Sequence, residues 1–290
     1  MLSRIAHFLR MIRFSHTLFA LPFAIAQLAV IAARHTEGVR VTWQNALLIV
    51  VAFTAMRSFA MAANRLIDRE IDARNPRTAS RELPAGKLSA GAVWVFGMTA
   101  LGILAISAWL LAPIAAWLAL PAAAIVAGYS YAKRFTWLCH LWLGFAIGMA
   151  PIAVSIALLQ AITPESWFMA LTLCFYIAGF DILYALQDIE FDKQEHLYSI
   201  PARFGAARAV IISRTMHAIA LVSCAALIYS LQLSPWSWFF YAALVALLGF
   251  EHYLVGSVSS IRFEKIPVAF FNVNSVFSLT YAATIIVGLF

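Results

Sequence analysis

Two stretches of the sequence carry acidic side chains four residues apart within strongly apolar surroundings. The first contains Asn64, Asp68 and Asp72, and the second contains Asp188 and Asp192. Both aspartates of the second stretch stand 120 residues after their counterparts in the first (188 − 68 and 192 − 72). Residues four apart on a helix share one face, with Cβ atoms about 5–6 Å apart. Each stretch therefore predicts a stripe of carboxylates along one side of a helix.

Carboxylates that meet in one site repel each other unless a cation lies between them. Oxygen ligands without thiols or a histidine cluster select hard cations, and Mg²⁺ typically takes one or two carboxylates together with substrate phosphate oxygens. The two stripes therefore predict a magnesium site for a diphosphate. The alternative is that each acid is a solvated residue at a helix end, paired with local arginines. Two copies at the same offset argue against that alternative.

Two ionisable residues inside the apolar segments are further candidates, because charges are expensive in lipid. Arg57 and Asp181 each lie seven residues before a polar position of a stripe, namely Asn64 and Asp188. Seven residues are about two helical turns, so both side chains are expected to face the interior of a helix bundle. Tyr184 shares the face of Asp188. A structural salt bridge between helices is the alternative for Arg57 and Asp181.

Basic residues lie where a phosphate would need them. Arg77 follows the first acidic stretch, and Lys133 and Arg134 end an apolar segment. Such side chains could neutralise diphosphate oxygens and stabilise a leaving group. The alternative is that they anchor the chain at lipid head groups. His140 is a lone histidine, and we interpret it as a buried core residue and not as a ligand.

The composition restricts the class of protein that carries these residues. Of 290 residues, 63% are hydrophobic and 11% are charged, against roughly 25% charged in a soluble domain. This excludes a disordered chain and argues against a soluble enzyme, because too few polar side chains are available to cover the surface. The net charge of +7 is spread between apolar segments and does not predict a nucleic-acid partner. Three cysteines without a CxxC spacing predict neither a disulfide framework nor a zinc site.

Nine apolar segments are long enough to span a membrane as helices, which takes about 20 residues each. They lie near residues 17–33, 44–63, 90–110, 113–131, 138–160, 166–187, 209–230, 236–256 and 268–290. Helices satisfy every backbone hydrogen bond in lipid, and no strand pattern is present. The sequence therefore predicts an all-α, polytopic membrane bundle of nine transmembrane helices. Four spans separate the two acidic stretches, which predicts an internal four-helix repeat followed by a ninth helix.

The distribution of basic residues predicts the orientation. With a cytoplasmic N-terminus, 17 of the 20 Lys and Arg residues fall on the cytoplasmic side, as the positive-inside rule expects. Both acidic stretches then belong to cytoplasmic motif loops, at residues 64–89 and 188–208. We expect a single transmembrane domain over residues 1–290, which begins with an interfacial helix at residues 1–16.

At these residues the chain resembles the UbiA superfamily of intramembrane prenyltransferases. The resemblance is carried by Arg57-Ser, Asn64-x-x-x-Asp68-x-x-x-Asp72, Arg77-Thr, Arg81-Glu-Leu-Pro-Ala-Gly86, Tyr129-x-x-x-Lys133-Arg-x-Thr136, Asp181-x-x-Tyr184-Ala-x-x-Asp188-x-x-x-Asp192 and Ser199-Ile-Pro-Ala-Arg-Phe-Gly205. It implies a nine-helix bundle of the bacterial inner membrane, in which Mg²⁺ holds a polyprenyl diphosphate between the two aspartate motifs. The other partners that it implies are an aromatic acid acceptor and membrane lipid.

The resemblance also implies a role for each candidate residue. The metal ligands are Asn64, Asp68, Asp72, Asp188 and Asp192, the diphosphate ligands are Arg77, Lys133 and Arg134, and the residues that orient the acceptor or the ion are Arg57, Asp181 and Tyr184. The substrate-binding set is completed by Asn64. These residues are the predicted catalytic and binding machinery.

The acceptor is left with two alternatives. The motifs around Lys133 and Asp181 resemble those of 4-hydroxybenzoate polyprenyltransferases of ubiquinone synthesis. The opening segment Phe14–Pro22 resembles related enzymes of the futalosine route to menaquinone, and Arg65 stands where many members have an aspartate. A different class, an ion-coupled transporter, usually places charged sites near the bilayer midplane, whereas these acids gather at one face.

Overall fold

The computed structural model describes residues 7, 8, 10, 11, 20–35, 40–268 and 272–290. Most of the predicted interfacial helix at residues 1–16 and most of the segment Phe14–Pro22 lie outside this part of the chain. Within the described part, nearly all regular structure is helical. The all-α prediction is therefore confirmed.

Thirteen α-helices are described, and we number them in chain order. They are α1 (Leu21–Arg34), α2 (Trp43–Ile67), α3 (Arg69–Arg74), α4 (Ala90–Leu111), α5 (Pro113–Ala132), α6 (Cys139–Leu159), α7 (Pro164–Ala185), α8 (Ile189–Gln194), α9 (Ile200–Phe204), α10 (Ala206–Ser230), α11 (Pro235–Val255), α12 (Ile266–Val268) and α13 (Asn274–Gly288). Two 3₁₀ turns, Leu186–Asp188 and Phe263–Lys265, lie before α8 and α12. The described part also has one small antiparallel ribbon, β1 (Gly256–Ser257) with β2 (Ser260–Ile261).

Seven of the described helical segments are long and apolar enough to cross a membrane. They are Trp43–Ile67, Ala90–Leu111, Pro113–Ala132, Cys139–Leu159, Pro164–Gln194, Ala206–Ser230 and Pro235–Val255. The protein is therefore an integral membrane protein. Helices α1 and α13 are apolar but have only 14 and 15 residues, which is shorter than the ~20 residues of a full span. Both adjoin residues outside the described part, so the predicted count of nine spans stays a prediction.

The chain divides into two compact units. The first comprises residues up to Thr17 together with Trp43–Tyr131. Its helices α2 and α4 pack along each other, with Ala62 against Leu88 and Val93 in one apolar cluster. The first acidic motif stands at the end of α2, so this packing positions it.

The second unit comprises Leu18–Thr42 and Ala132–Phe290 and is built around α7. In the most apolar stretch of Pro164–Gln194, 72% of the residues are buried, against 39% or less in the other six spans. Helices α6 and α10 pack directly on α7. The end of α7 contributes Ile182, Leu183 and Leu186 to a buried apolar cluster. The second acidic motif follows directly from this central helix.

Close packing of α6 on α7 depends on two glycines four residues apart. A Cβ atom at Gly144 would lie 2.2 Å from the carbonyl oxygen of Cys174, and one at Gly148 would lie 2.9 Å from that of Ala170. Small residues at this spacing let helix backbones approach each other in membranes. The pair therefore holds α6 at the distance from α7 that the site described below requires.

Replacing Gly144 by Ala is expected to destabilise the protein by about 1–3 kcal/mol, the usual cost of overpacking. The new methyl group would meet a backbone oxygen, which cannot rotate away as a side chain can. The measurement is thermal unfolding in detergent. The matched control is Gly249→Ala in α11, where nothing lies within 4 Å of the added Cβ and where Ala is the better helix former. Equal melting temperatures of the two variants would contradict the close approach of α6 to α7.

Candidate active site

The first acidic motif lies at a break in the helix. Helix α2 ends at Ile67, Asp68 has φ −93° and ψ 3°, and the six-residue α3 begins at Arg69. The backbone N–H of Asp68 still donates to the Asn64 carbonyl (2.9 Å), and that of Asp72 to the Asp68 carbonyl (2.7 Å). The predicted stripe therefore continues from the end of α2 into α3, with a break at Asp68 that was not predicted. Aspartate side chains compete for backbone groups and favour helix ends, and a spacing of four does not reveal such a break.

The second motif repeats this local structure. Helix α7 ends at Ala185, the 3₁₀ turn Leu186–Asp188 follows, and α8 has six residues. Asp188 has φ −107° and ψ 6°, close to the angles of Asp68. In both copies the first aspartate stands directly before a six-residue helix, and the second aspartate is the fourth residue of that helix. The two motifs therefore agree in backbone conformation as well as in sequence.

Asn64 is held by hydrogen bonds within the first unit. Its Nδ2 donates to Asp68 Oδ2 (2.7 Å) and to Ser130 Oγ (3.1 Å), and its Oδ1 accepts from Arg65 Nη1 (2.8 Å). Arg65 is buried, with 4% of its surface exposed. The residue that departs from the family pattern therefore orients the motif asparagine, a role that sequence reasoning missed.

Asp72 is buried and forms a salt bridge with Arg81. Arg81 Nη1 lies 2.7 Å from both carboxylate oxygens of Asp72, and Thr78 Oγ1 donates to the Asp72 carbonyl (3.0 Å). Arg81 belongs to a motif of the resemblance, but its pairing with Asp72 was not predicted. The segment that follows α3 therefore supplies the counter-charge of the second aspartate.

The other predicted residues of the first unit lie on either side of these groups. Arg57 stands inside α2, two turns before Asn64, and is half-buried. Arg77 is half-buried in the segment after α3, where its backbone N–H donates to Asn75 Oδ1 (2.9 Å). Arg77 and Arg81 thus lie in the same short segment, which directly follows the helix that carries Asp72.

In the second unit, Lys133 lies among carboxylates. Burial by itself would lower the pKa of Lys133, but electrostatic interactions with Asp192, Cys139, Asp188 and Asp181 outweigh it and raise the pKa above its usual value. Lys133 therefore stays protonated. The neighbouring Arg134, by contrast, is exposed.

The segment after the second motif is hydrogen-bonded to Asp192 and to the loop that carries Lys133. Asp192 is 1% exposed, and its Oδ2 accepts a hydrogen bond from Ser199 Oγ (2.8 Å). The backbone N–H of Tyr198 donates to the Lys133 carbonyl (2.7 Å). Residues 198–199 therefore connect the second aspartate with the loop that carries Lys133.

Asp181 is paired with a histidine that sequence reasoning did not include in the site. His140 Nδ1 lies 2.7 Å from Asp181 Oδ2. His140 is fully buried, as predicted, but its partner is a candidate site residue. No spacing in the sequence connects positions 140 and 181, so no local signal could have found this pair. Tyr184 lies one turn after Asp181 and is half-buried.

The donor set of each motif suits Mg²⁺. Each motif supplies two carboxylates, the number that Mg²⁺ uses beside phosphate oxygens, and the first adds an amide oxygen. Over the residues that the structure describes, no group of three or more His, Cys, Asp or Glu side chains gathers as a protein-only metal site.

The chain is similar to curated bacterial enzymes. It is 26% identical to the 4-hydroxybenzoate octaprenyltransferase of Aliivibrio fischeri over 246 residues, which cover 83% of each chain. It is 30% identical to the enzyme of the same name from Tolumonas auensis over 162 residues, which are 54% of this chain and 56% of that protein. The chain thus spans little more than half the length of that second relative.

Solved structures and a family model extend the likeness to almost the whole chain. The apo structure of a UbiA homologue from Aeropyrum pernix superposes with a TM-score of 0.79 at 30% identity, over 95% of this chain and 98% of that chain. A UbiA homologue from Archaeoglobus fulgidus, bound to GPP and Mg²⁺, has the same fold, with a TM-score of 0.70 at 21% identity over 97% and 99%. The model of the UbiA prenyltransferase family matches residues 19–276. The chain therefore belongs to the UbiA prenyltransferase family.

Proposed function

We propose that the protein catalyses the Mg²⁺-dependent transfer of a polyprenyl group from polyprenyl diphosphate to an aromatic acid. The observation that carries this proposal is the similar local structure of the two aspartate motifs, each with its first acid at a helix break and its second acid buried. Family membership supports it, and so does the GPP and Mg²⁺ bound to the Archaeoglobus fulgidus homologue.

The proposed ligands follow the chemistry of the donors. Mg²⁺ is bound by Asn64, Asp68, Asp72, Asp188 and Asp192, with Lys133, Arg134 and Arg77 on the diphosphate oxygens. When bound, the metal withdraws electron density from the diphosphate and so makes it a better leaving group. Lys133 is fitted for its part because neighbouring carboxylates keep it protonated. The salt bridge of Asp72 with Arg81 fixes that carboxylate in place.

The reaction requires little covalent chemistry from the protein. The allylic C–O bond breaks and its electron pair leaves with the diphosphate, whose growing charge the basic residues stabilise. The resulting allylic carbocation is attacked by the ring carbon next to the acceptor's hydroxyl group. A C–C bond forms, and the ring regains aromaticity by losing a proton. Arg57, Asp181 and Tyr184 orient the acceptor or the ion so that the two carbons meet.

The favoured acceptor is 4-hydroxybenzoate, in respiratory quinone biosynthesis. The names of the curated relatives and the motifs around Lys133 support it. A menaquinone precursor is the alternative acceptor. We place the N-terminus and both motif loops on the cytoplasmic side of the bacterial inner membrane, because most Lys and Arg residues then fall on that side. The polyprenyl tail is as apolar as lipid, so donor and product remain in the bilayer.

The first test is turnover of the purified protein in lipid with geranyl diphosphate and 4-hydroxybenzoate. Prenylated product is expected with Mg²⁺, no product is expected with excess EDTA, and added Mg²⁺ is expected to restore the reaction. Diphosphate binding without product would indicate that the acceptor is a menaquinone precursor and not 4-hydroxybenzoate. Loss of diphosphate binding as well would contradict prenyl transfer and favour an ion-coupled transporter.

Removing one metal-binding carboxylate is expected to abolish turnover and leave the fold intact. Asp68→Ala and Asp188→Ala should each reduce turnover by at least about 100-fold, the scale on which single electrostatic stabilisers act. The matched controls are Glu70→Ala and Glu190→Ala, two residues further along each motif, whose side chains are 75% and 81% exposed. Wild-type turnover in either aspartate variant would overturn the metal assignment.

Lys133 is expected to act through diphosphate affinity. Lys133→Gln should weaken binding of an unreactive thiolo-diphosphate analogue about 10- to 100-fold, which corresponds to one charge-assisted hydrogen bond. Titration calorimetry in detergent with Mg²⁺ measures it. Lys193→Gln is the control, because Lys193 is 51% exposed and lies 3.6 Å from Glu190. Equal affinities of both variants would remove Lys133 from the diphosphate site.

A further inference from the structure

We propose that His140 is a positioning residue of this enzyme, which holds the carboxylate of Asp181 in the orientation that the acceptor requires. The inference rests on the proposed function, because it assigns a task to Asp181 within that reaction. His140 has no part in the metal or diphosphate ligands proposed above. It belongs to the second unit, as does Asp181.

The hydrogen-bond partners of His140 define its tautomer. The backbone N–H of Ile200 points to His140 Nε2 at 3.4 Å. A backbone N–H can only donate, so Nε2 must accept and carry no proton. The ring proton therefore lies on Nδ1, which donates to Asp181 Oδ2 at 2.7 Å. In this arrangement the histidine holds the carboxylate in one orientation.

Solvent exposure separates the roles of the two partners. The side chain of His140 has no exposed surface, whereas 14% of the Asp181 side chain is exposed. His140 therefore cannot touch a substrate, and Asp181 can. With Oδ2 held by the histidine, rotation of the carboxylate is restricted, and the orientation of its other oxygen is determined.

The position of the neighbouring segment does not depend on His140 alone. Tyr198 is attached to Lys133 through its backbone N–H (2.7 Å), and its carbonyl lies 3.6 Å from Cys139 Sγ. Ser199 is attached separately to Asp192 (2.8 Å). Substitution of His140 leaves these contacts in place. The principal change is then at Asp181, and a functional effect can be separated from unfolding.

Three substitutions distinguish the two ring nitrogens. In His140→Asn the amide Nδ2 replaces the Nδ1 donor, in His140→Gln the amide reaches the Nε2 position, and His140→Leu removes both. If His140 acts through Asp181, kcat/KM for the acceptor should fall roughly 10- to 100-fold in the Leu and Gln variants, the usual cost of losing such a supporting partner. The Asn variant should stay within about 3-fold of wild type. Diphosphate affinity should be unchanged in all three.

The matched control is His217→Asn, another histidine of the second unit, which is 2% exposed and lies with Nδ1 3.0 Å from His252 Nε2. It should lose thermal stability without a change in acceptor kcat/KM. Equal losses in the Asn and Leu variants of His140, or a loss that follows melting temperature alone, would reduce His140 to a structural residue. Wild-type kinetics in the Leu variant would also overturn the proposal.

A spectroscopic measurement separates this inference from the proposed function. In protein with ¹⁵N-labelled histidine, His140 should show a proton on Nδ1, and Asp181→Asn should shift that Nδ1 resonance. A His140 whose only ring proton lies on Nε2 would contradict the inference whether or not the protein turns over. Absence of prenylated product from wild-type protein would contradict the proposed function, while the resonance still tests the pair.

Discussion

The candidate site depends on the pairing of buried carboxylates with hydrogen-bond donors and cations. A carboxylate removed from water without a partner costs several kcal/mol, and more in a membrane. Among the described site residues, Arg81 is paired with the buried Asp72, Ser199 with the buried Asp192, and His140 with the partly exposed Asp181. Helix ends and the segments beside them provide these partners, because polar residues accumulate where the apolar spans stop. The geometry of the site is therefore a consequence of how its negative charge is balanced.

In both motifs the second aspartate has a hydrogen-bonding partner, but the two partners differ in charge. In each, the second aspartate is bound by the segment that follows the motif, through Arg81 in the first copy and through Ser199 in the second. Arg81 brings a full positive charge, whereas a serine hydroxyl brings none. The second copy obtains its positive charge from Lys133 instead. The two motifs therefore agree in their acids and in backbone conformation, but they differ in the residues that pair with those acids.

The helix break at the first aspartate of each motif has a chemical consequence. A continuous helix would direct both acids along one rigid face, whereas the break lets the six-residue helix take its own direction. The second aspartate can then be buried, as Asp72 and Asp192 are, while Asp68 keeps some exposure. In the first motif the two acids therefore occupy different environments, whereas in the second motif both Asp188 and Asp192 are buried.

The sequence by itself determined the class of protein and the identity of the acids. Long apolar segments become helices in lipid because only helices satisfy the backbone there, and a spacing of four, repeated after 120 residues, is a local pattern that survives folding. Arg81, Arg65 and His140 were not assigned from sequence. Arg65 was noted only as a departure from the family pattern. Arg81 lies nine residues from its acid and His140 lies 41, and only packing selects partners at such separations. The break at Asp68 was not predicted either, because residues four apart in the sequence do not show whether the helix through them is continuous. Tertiary structure alone therefore decided how each carboxylate is oriented and balanced, since that depends on which helices lie side by side.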